Sequence, residues 1–311
     1  MKKSSFFKKS NANKIVFYFA TLAFPVIHFL IFYIAVNFNS IMYAFSFYDY
    51  SQVGSVTQKF VWFDNFIHIF EMFKYQPEML IRTKNSIIGF CVTFLISSPL
   101  GIIFSYYIFK KRWGSKLMKI LLFLPQILSA MVLAVMVKYF VNKALPYAWE
   151  TFFGIKIRGL LPMDTVYPSI MPTMIVFTVF NALGSSMLMY VGTMANISES
   201  VIEQAQIDGV TPLKEFTLIV FPCIYSTFVT FTVVEVASIF TLQLHMFSVF
   251  GKDTEIEYQT IGFYLYNAAR QAKSIGEYPE LSAFGLLCTA LAVPMTFLTK
   301  KGLERIGKRW E

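Results

Sequence analysis

The chain has 311 residues, of which 56% are hydrophobic and 18% aromatic while only 14% are charged, well short of the quarter charged that a soluble domain carries. Its net charge of +9 gathers in short clusters beside apolar runs, which reads as an orientation signal and lipid-headgroup contact and argues against nucleic acid. Cys91, Cys223 and Cys288 fall in or beside apolar runs as small core residues and suggest neither a disulfide frame nor a metal site.

Lys2, Lys3, Lys8, Lys9 and Lys14 precede an apolar run over residues 15–36, long enough to cross about 30 Å of hydrocarbon. That run is too long for a signal-peptide core and no small-residue cleavage site follows it. It is expected to be a first transmembrane helix leaving a basic cytoplasmic segment, residues 1–14. Pro25 and His28 are tolerable within a packed span. Residues 37–84 turn polar and aromatic, so residues 15–84 read as the first span with an external loop. A second span, residues 85–109, ends on Lys110, Lys111 and Arg112, charges that belong inside the cell. Lys116 and Lys119 extend the cluster, and a third span follows over residues 117–141 with Pro125 near its start. Residues 142–164 hold Pro146, Gly154, Gly159 and Pro162 and are expected to loop outside. The fourth span, residues 167–191, carries Pro168 and Pro172 early and a small-residue patch at Gly184, Ser185 and Ser186 where a neighbouring helix can come close.

Residues 198–222 are then polar and acidic between apolar flanks. Ser200 stands three residues before Glu203, the spacing of a capping box, so a short helix is expected to begin there. Asp208 and Gly209 end it, since Gly209 can take the left-handed conformation, and Thr211 with Pro212 suits the cap and first position of a second helix. The bland alternative is an ordinary polar loop with a helix-breaking Asp-Gly. Counting spans places this stretch inside, although Lys214 is its only basic residue. Because acidic residues orient a loop only weakly, Glu199, Glu203, Asp208 and Glu215 are free to face a protein partner, or simply solvent.

The fifth apolar segment, residues 219–250, exceeds one bilayer crossing and is expected to project or bend. Glu235 lies near its middle, with Ser238, Thr241, Gln243 and His245 following at intervals that place several on one face. An acid in a span is costly unless it meets water, a partner or a ligand. Its carboxylate suits the hydroxyls of a ligand, and an interhelical hydrogen bond to Ser or Thr fits equally. An external loop over residues 251–281 and a sixth span over residues 282–299 follow. Lys300, Lys301, Arg305, Lys308 and Arg309 then hold a tail, residues 300–311, inside. The expected fold is an all-α integral membrane protein of six transmembrane helices with both termini cytoplasmic, residues 85–299 forming a core of five spans.

The stretch Glu203, Gln204, Ala205, Gln206, Ile207, Asp208, Gly209, closed by Phe221 and Pro222, resembles the EAA loop of ABC importer permeases, with Gln204 and Val210 standing where alanines are usual. Ser46-Phe47-Tyr48-Asp49-Tyr50 and Phe63-Asp64-Asn65-Phe66 resemble the external loop of the carbohydrate (maltose and glycerol-phosphate type) members. The run Leu121 to Pro125 and the stretch Phe263-Tyr264-Leu265-Tyr266 are similar to theirs as well. The resemblance implies a type I importer permease in a bacterial cell membrane, paired with a second permease subunit. It also implies two cytoplasmic ATPases and an extracytoplasmic solute-binding protein that delivers a carbohydrate. Glu203, Ala205, Asp208, Gly209 and Pro222 would then couple to the ATPase, while Glu235, Ser238, Thr241 and Gln243 are pathway candidates.

A borrowed energy source agrees with the residues themselves. No Gly-x-x-x-x-Gly-Lys-Ser/Thr loop occurs, and there is no HExxH or GxSxG motif. The chain is therefore expected to bind no cofactor, with ATP and Mg acting on the partner ATPases. A secondary transporter driven by an ion gradient is the rival, but the chain shows no clear internal repeat and Glu235 has no evident cationic partner. An enzyme acting on lipid would have only His68 with Glu71 as a near candidate, a pair that is usually just solvated.

Overall fold

In lipid a segment must satisfy its own backbone, so each apolar run closes into a helix. The computed structural model describes residues 3–52, 55–162 and 168–308. Lys2, Tyr167 and Arg309, and the side chains of Lys3, Lys8, Lys9 and Tyr50, lie outside the described residues. The chain forms two compact units, residues 1–70 with 272–287 and residues 71–271 with 288–311.

In the first unit, α1 (Lys3–His28) runs through a π-helical stretch, Phe29–Ala35, into α2 (Val36–Ala44). The apolar part, Val16–Ala44, buries none of its most apolar window within the chain, as expected of a helix whose surroundings are lipid or another subunit. The polar and aromatic segment after it departs from the all-helical expectation. It holds an antiparallel hairpin, β1 (Ser46–Gln52) with β2 (Ser55–Phe60), in which Ser46 faces Phe60 and Phe47 faces Lys59. Aromatic and polar residues in alternation suit a pleated ribbon with two unlike faces. Lys59 Nζ lies 2.6 Å from Asp49 Oδ2, and the Gln58 amide donates to Ser46 Oγ at 2.8 Å. The Asn65 amide donates to the carbonyls of Ala44 and Ser46, 2.9 Å each, tying the hairpin to the start of α3 (Asp64–Tyr75).

The second unit is built on α4 (Pro77–Phe109), α5 (Ser115–Ile127), α6 (Ala130–Tyr139), α7 (Leu145–Phe153) and α8 (Ile170–Met194). Then come α9 (Glu199–Ile207), α10 (Pro212–Glu215), α11 (Phe221–Ala237), α12 (Met246–Phe250), α13 (Ile261–Gln271) and most of α14 (Tyr278–Gly307). Helix α8 lies along α4 and α5, and small residues set the spacing. A Cβ added at Gly101 would come within 2.7 Å of Ser186 Oγ, and one at Gly184 would run into the backbone carbonyl of Leu122. Ser105 Oγ donates to the carbonyls of Gly101 and Met187 at 2.6 and 3.2 Å. The expected small-residue patch is thus the contact between these helices. Met174, Phe177, Leu183 and Met187 of α8 meet Leu133, Leu244 and Phe263 in the core.

Among the described residues five helices are long and apolar enough to cross a membrane, or six if α5 and the helical run Ala130–Phe153, bent by 114° from it, make one broken crossing. The third span is therefore broken where continuity was expected. Leu128 is extended, and Ser129 starts a new helix by accepting the Val132 amide. The fifth breaks after Ala237, consistent with the expected bend. Two boundaries also move: α4 begins at Pro77, whose missing N–H suits a first turn, and residues 145–153, expected in a loop, form α7. The loop beyond is clamped by Asn142, whose amide donates to the Leu161 carbonyl at 2.8 Å and whose oxygen accepts the Leu161 amide at 2.9 Å.

Candidate functional site

Helix α9 starts from Ser198 as its cap residue, not Ser200, and no side chain caps it. The Ser198 and Ser200 hydroxyls bond each other at 2.7 Å, so the expected capping box between Ser200 and Glu203 does not form and Glu203 is exposed. The other end meets expectation. Gly209 has φ 69°, its amide donates to the Gln206 carbonyl at 3.1 Å, and the Val210 amide donates to the Ala205 carbonyl at 2.9 Å. That pair of bonds is the Schellman closure. Asp208 accepts from the Gln204 amide at 3.1 Å. Thr211 is extended and Pro212 opens α10.

Glu203, Asp208 and Gly209 are all exposed around the turn, while Ala205 is buried. Ile207 and Leu213 flank it at 79% and 74% exposure, well outside any core. Pro222 lies apart, in the first turn of α11.

From Pro212 the chain stays helical through a π-helical stretch, Phe216–Val220, to Ala237. Glu215, grouped above with acids free to face a partner, instead points inward and is only 2% exposed. Lys110 Nζ stands 2.8 and 3.0 Å from its two oxygens, and Tyr106 donates to the same carboxylate and to the Pro212 carbonyl at 3.1 Å each. Sequence reasoning missed this clamp. Its only signal was a lysine at the end of a span.

The pathway candidates do not share a helical face. Glu235 sits two residues before the end of α11, half-buried beside Tyr190, whose side chain bonds Ser98. Ser238 donates to the Glu235 carbonyl at 2.8 Å and Thr241 to the Ser238 carbonyl at 3.1 Å, so both serve the turn that ends the helix. Gln243 accepts the Met246 amide with its carbonyl. Leu244 and His245 adopt φ 51° and 55°, a region costly for residues with a Cβ. Packing holds them there: Leu244 presses on Gly89, and Gly262 abuts the Thr241 backbone so closely that a Cβ would lie 2.6 Å from its carbonyl oxygen.

At this break His245 Nε2 lies 3.0 Å from the Asn181 amide nitrogen. The amide nitrogen only donates, so Nε2 accepts and the neutral ring carries its proton on Nδ1. The Gln126 amide in turn donates to the carbonyl and side-chain oxygens of Asn181. The Phe177 ring stands 5.0 Å from the His245 ring. A polar chain therefore links the break in the third crossing to the break in the fifth. Gln126 and Asn181 were passed over in the sequence, where two isolated amides in apolar runs were the available signal. His68, the candidate for an enzyme site, lies 3.4 Å from Glu280 instead.

The family model described as "Binding-protein-dependent transport system inner membrane component" matches residues 97–310. The polygalacturonan/rhamnogalacturonan transport system permease protein YteP of Bacillus subtilis (strain 168) is 21% identical over 85% of this chain and 81% of its own length. Among solved structures, a bacterial ABC transporter involved in the import of the acidic polysaccharide alginate superposes with a TM-score of 0.75 at 20% identity, over 97% of this chain and 99% of the other. A bacterial alginate ABC transporter in complex with alginate pentasaccharide-bound periplasmic protein gives 0.76 at 19% identity, over 96% and 98%.

Proposed function

The chain belongs to the family of binding-protein-dependent transport system inner membrane components, and from this we propose that it passes a carbohydrate from an extracytoplasmic binding protein to the cytoplasm. It is a membrane-embedded permease subunit with the type I importer fold. In our reading it lies in a bacterial plasma membrane with both termini cytoplasmic and pairs with a second permease subunit. Two partner ATPases supply the energy, ATP and Mg acting there, while this chain binds no cofactor and has no catalytic role. Carbohydrate is supported by the relatives, whose names give polygalacturonan/rhamnogalacturonan for one and the acidic polysaccharide alginate for the other.

The observation that carries the coupling role is the turn closed at Gly209. It exposes Ile207 and Leu213, and its far side is locked to α4 through Glu215 and Lys110. An apolar tip on a rigid base is a docking element, and Glu203 and Asp208 beside it suit basic residues of an ATPase. Glu235, Ser238, Thr241 and Gln243, with the Gln126–Asn181–His245 chain, are the groups we place beside the cargo. Carboxylates, amides and hydroxyls at helix breaks bind hydroxylated solutes without leaving buried polar atoms unpaired.

Affinity purification of the tagged chain in mild detergent tests this reading, comparing the intact protein with Gly209→Val. Recovery of a second six-span subunit and an ATPase, the ATPase depleted in the variant, is expected. Recovery of the chain alone, moving solute in liposomes under an ion gradient without ATP, overturns it.

A further inference from the structure

Helices α11 and α14 run antiparallel, so the start of one meets the end of the other. Tyr225 of α11 donates its hydroxyl to the Leu303 carbonyl at 2.7 Å. Gly307 makes room for that ring: a Cβ there would lie 2.6 Å from Tyr225 Cε1. Beside this pinned contact a cavity of about 640 Å³ opens between the two helices. Its α11 wall grades from the hydroxyls of Ser226 and Thr230 to the apolar Val233 and Val234. Its α14 wall is charged, with Lys300, Glu304 and Lys308. Lys301 and Arg305 adjoin them on the same helix end, so four basic side chains stand against a single carboxylate. Glu304 is 3.8 Å from Lys300, with both side chains exposed, a pair too wet to cancel the local charge.

We propose that this cavity binds the head group of an anionic phospholipid that carries free hydroxyls, phosphatidylglycerol being the simplest. The phosphate meets Lys300 and Lys308, since basic side chains near a membrane surface attract anionic head groups. Thr230 gives its proton to the Ser226 carbonyl at 2.9 Å, which leaves its oxygen as an acceptor toward the cavity. Glu304 accepts from head-group hydroxyls, a role that a second carboxylate on the lipid would oppose. The acyl chains leave past Val233 and Val234, which continue into the apolar part of α11. The site does not depend on the cargo or on the ATPase reading.

The test uses the intact complex purified in mild detergent and exchanged into mixed micelles with equal parts of phosphatidylglycerol, phosphatidylserine and phosphatidylcholine, with retained lipid read by native mass spectrometry. Several-fold enrichment of phosphatidylglycerol is expected, lost in Lys300→Gln/Lys308→Gln. In Glu304→Gln the preference over phosphatidylserine should shrink while total anionic lipid is kept. Subunit stoichiometry on gel filtration confirms that these surface variants assemble. Equal retention of the three lipids, or enrichment unchanged in the double lysine variant, overturns the proposal. So does a photo-crosslinker at Ser226 that captures another subunit's helix and no lipid.

Discussion

Lys110 and Glu215 form an ion pair, 2.8 Å apart with side chains only 14% and 3% exposed, joining the end of α4 to the helix that leaves the exposed turn. Removing one partner of a buried pair strands the other charge and costs about 3–5 kcal/mol, whereas removing both is far milder. Lys110→Met should therefore lower the thermal midpoint of the detergent-solubilised complex sharply, and Lys110→Met/Glu215→Gln should regain most of the loss. Equal midpoints for the single and double variants would show that the pair does not hold this junction.

Gly209 has open space around it and φ 69°, so the cost of a side chain there is conformational and not a clash. Gly209→Val should strain the turn by about 1 kcal/mol or more and loosen the ATPase while leaving the spans folded. Normal copurification with normal coupled hydrolysis would remove the docking role.

For Glu235 the expected outcome is a transport defect without a folding defect. Glu235→Gln should weaken uptake while subunit assembly stays intact. Unchanged uptake affinity and rate in an assembled complex would leave this residue as a helix-end carboxylate beside Tyr190 and nothing more.

The spans were legible because their signal is simple: an apolar run of sufficient length has one answer in a bilayer. The turn at Gly209 was legible for a similar reason, as Asp-Gly followed by Thr-Pro allows few backbones. What sequence patterns left out was tertiary. Ser200 and Glu203 have capping-box spacing, yet the helix starts two residues earlier and the box has no amide to serve. Ser238, Thr241 and Gln243 share a face only if α11 continues, and it stops at Ala237 because Leu244 and His245 are held left-handed by contacts with Gly89, α8 and α13. Ser129 likewise looks like any hydroxyl in a span until it caps a helix turned by 114°. Glu215 is one acid among several in the sequence, and only the approach of Lys110 turns it inward.

The uninterrupted helical run Pro212–Ala237 spans roughly 39 Å at 1.5 Å per residue. It is clamped near one end, at Glu215, with the Gly209 turn just beyond the clamp and Glu235 twenty residues on the other side. A stiff rod held this way is a lever with unequal arms. A small tilt imposed at the short arm arrives magnified at the long one, beside the break where the polar side chains gather. The mechanical advantage is set by where along the helix the lysine makes its contact.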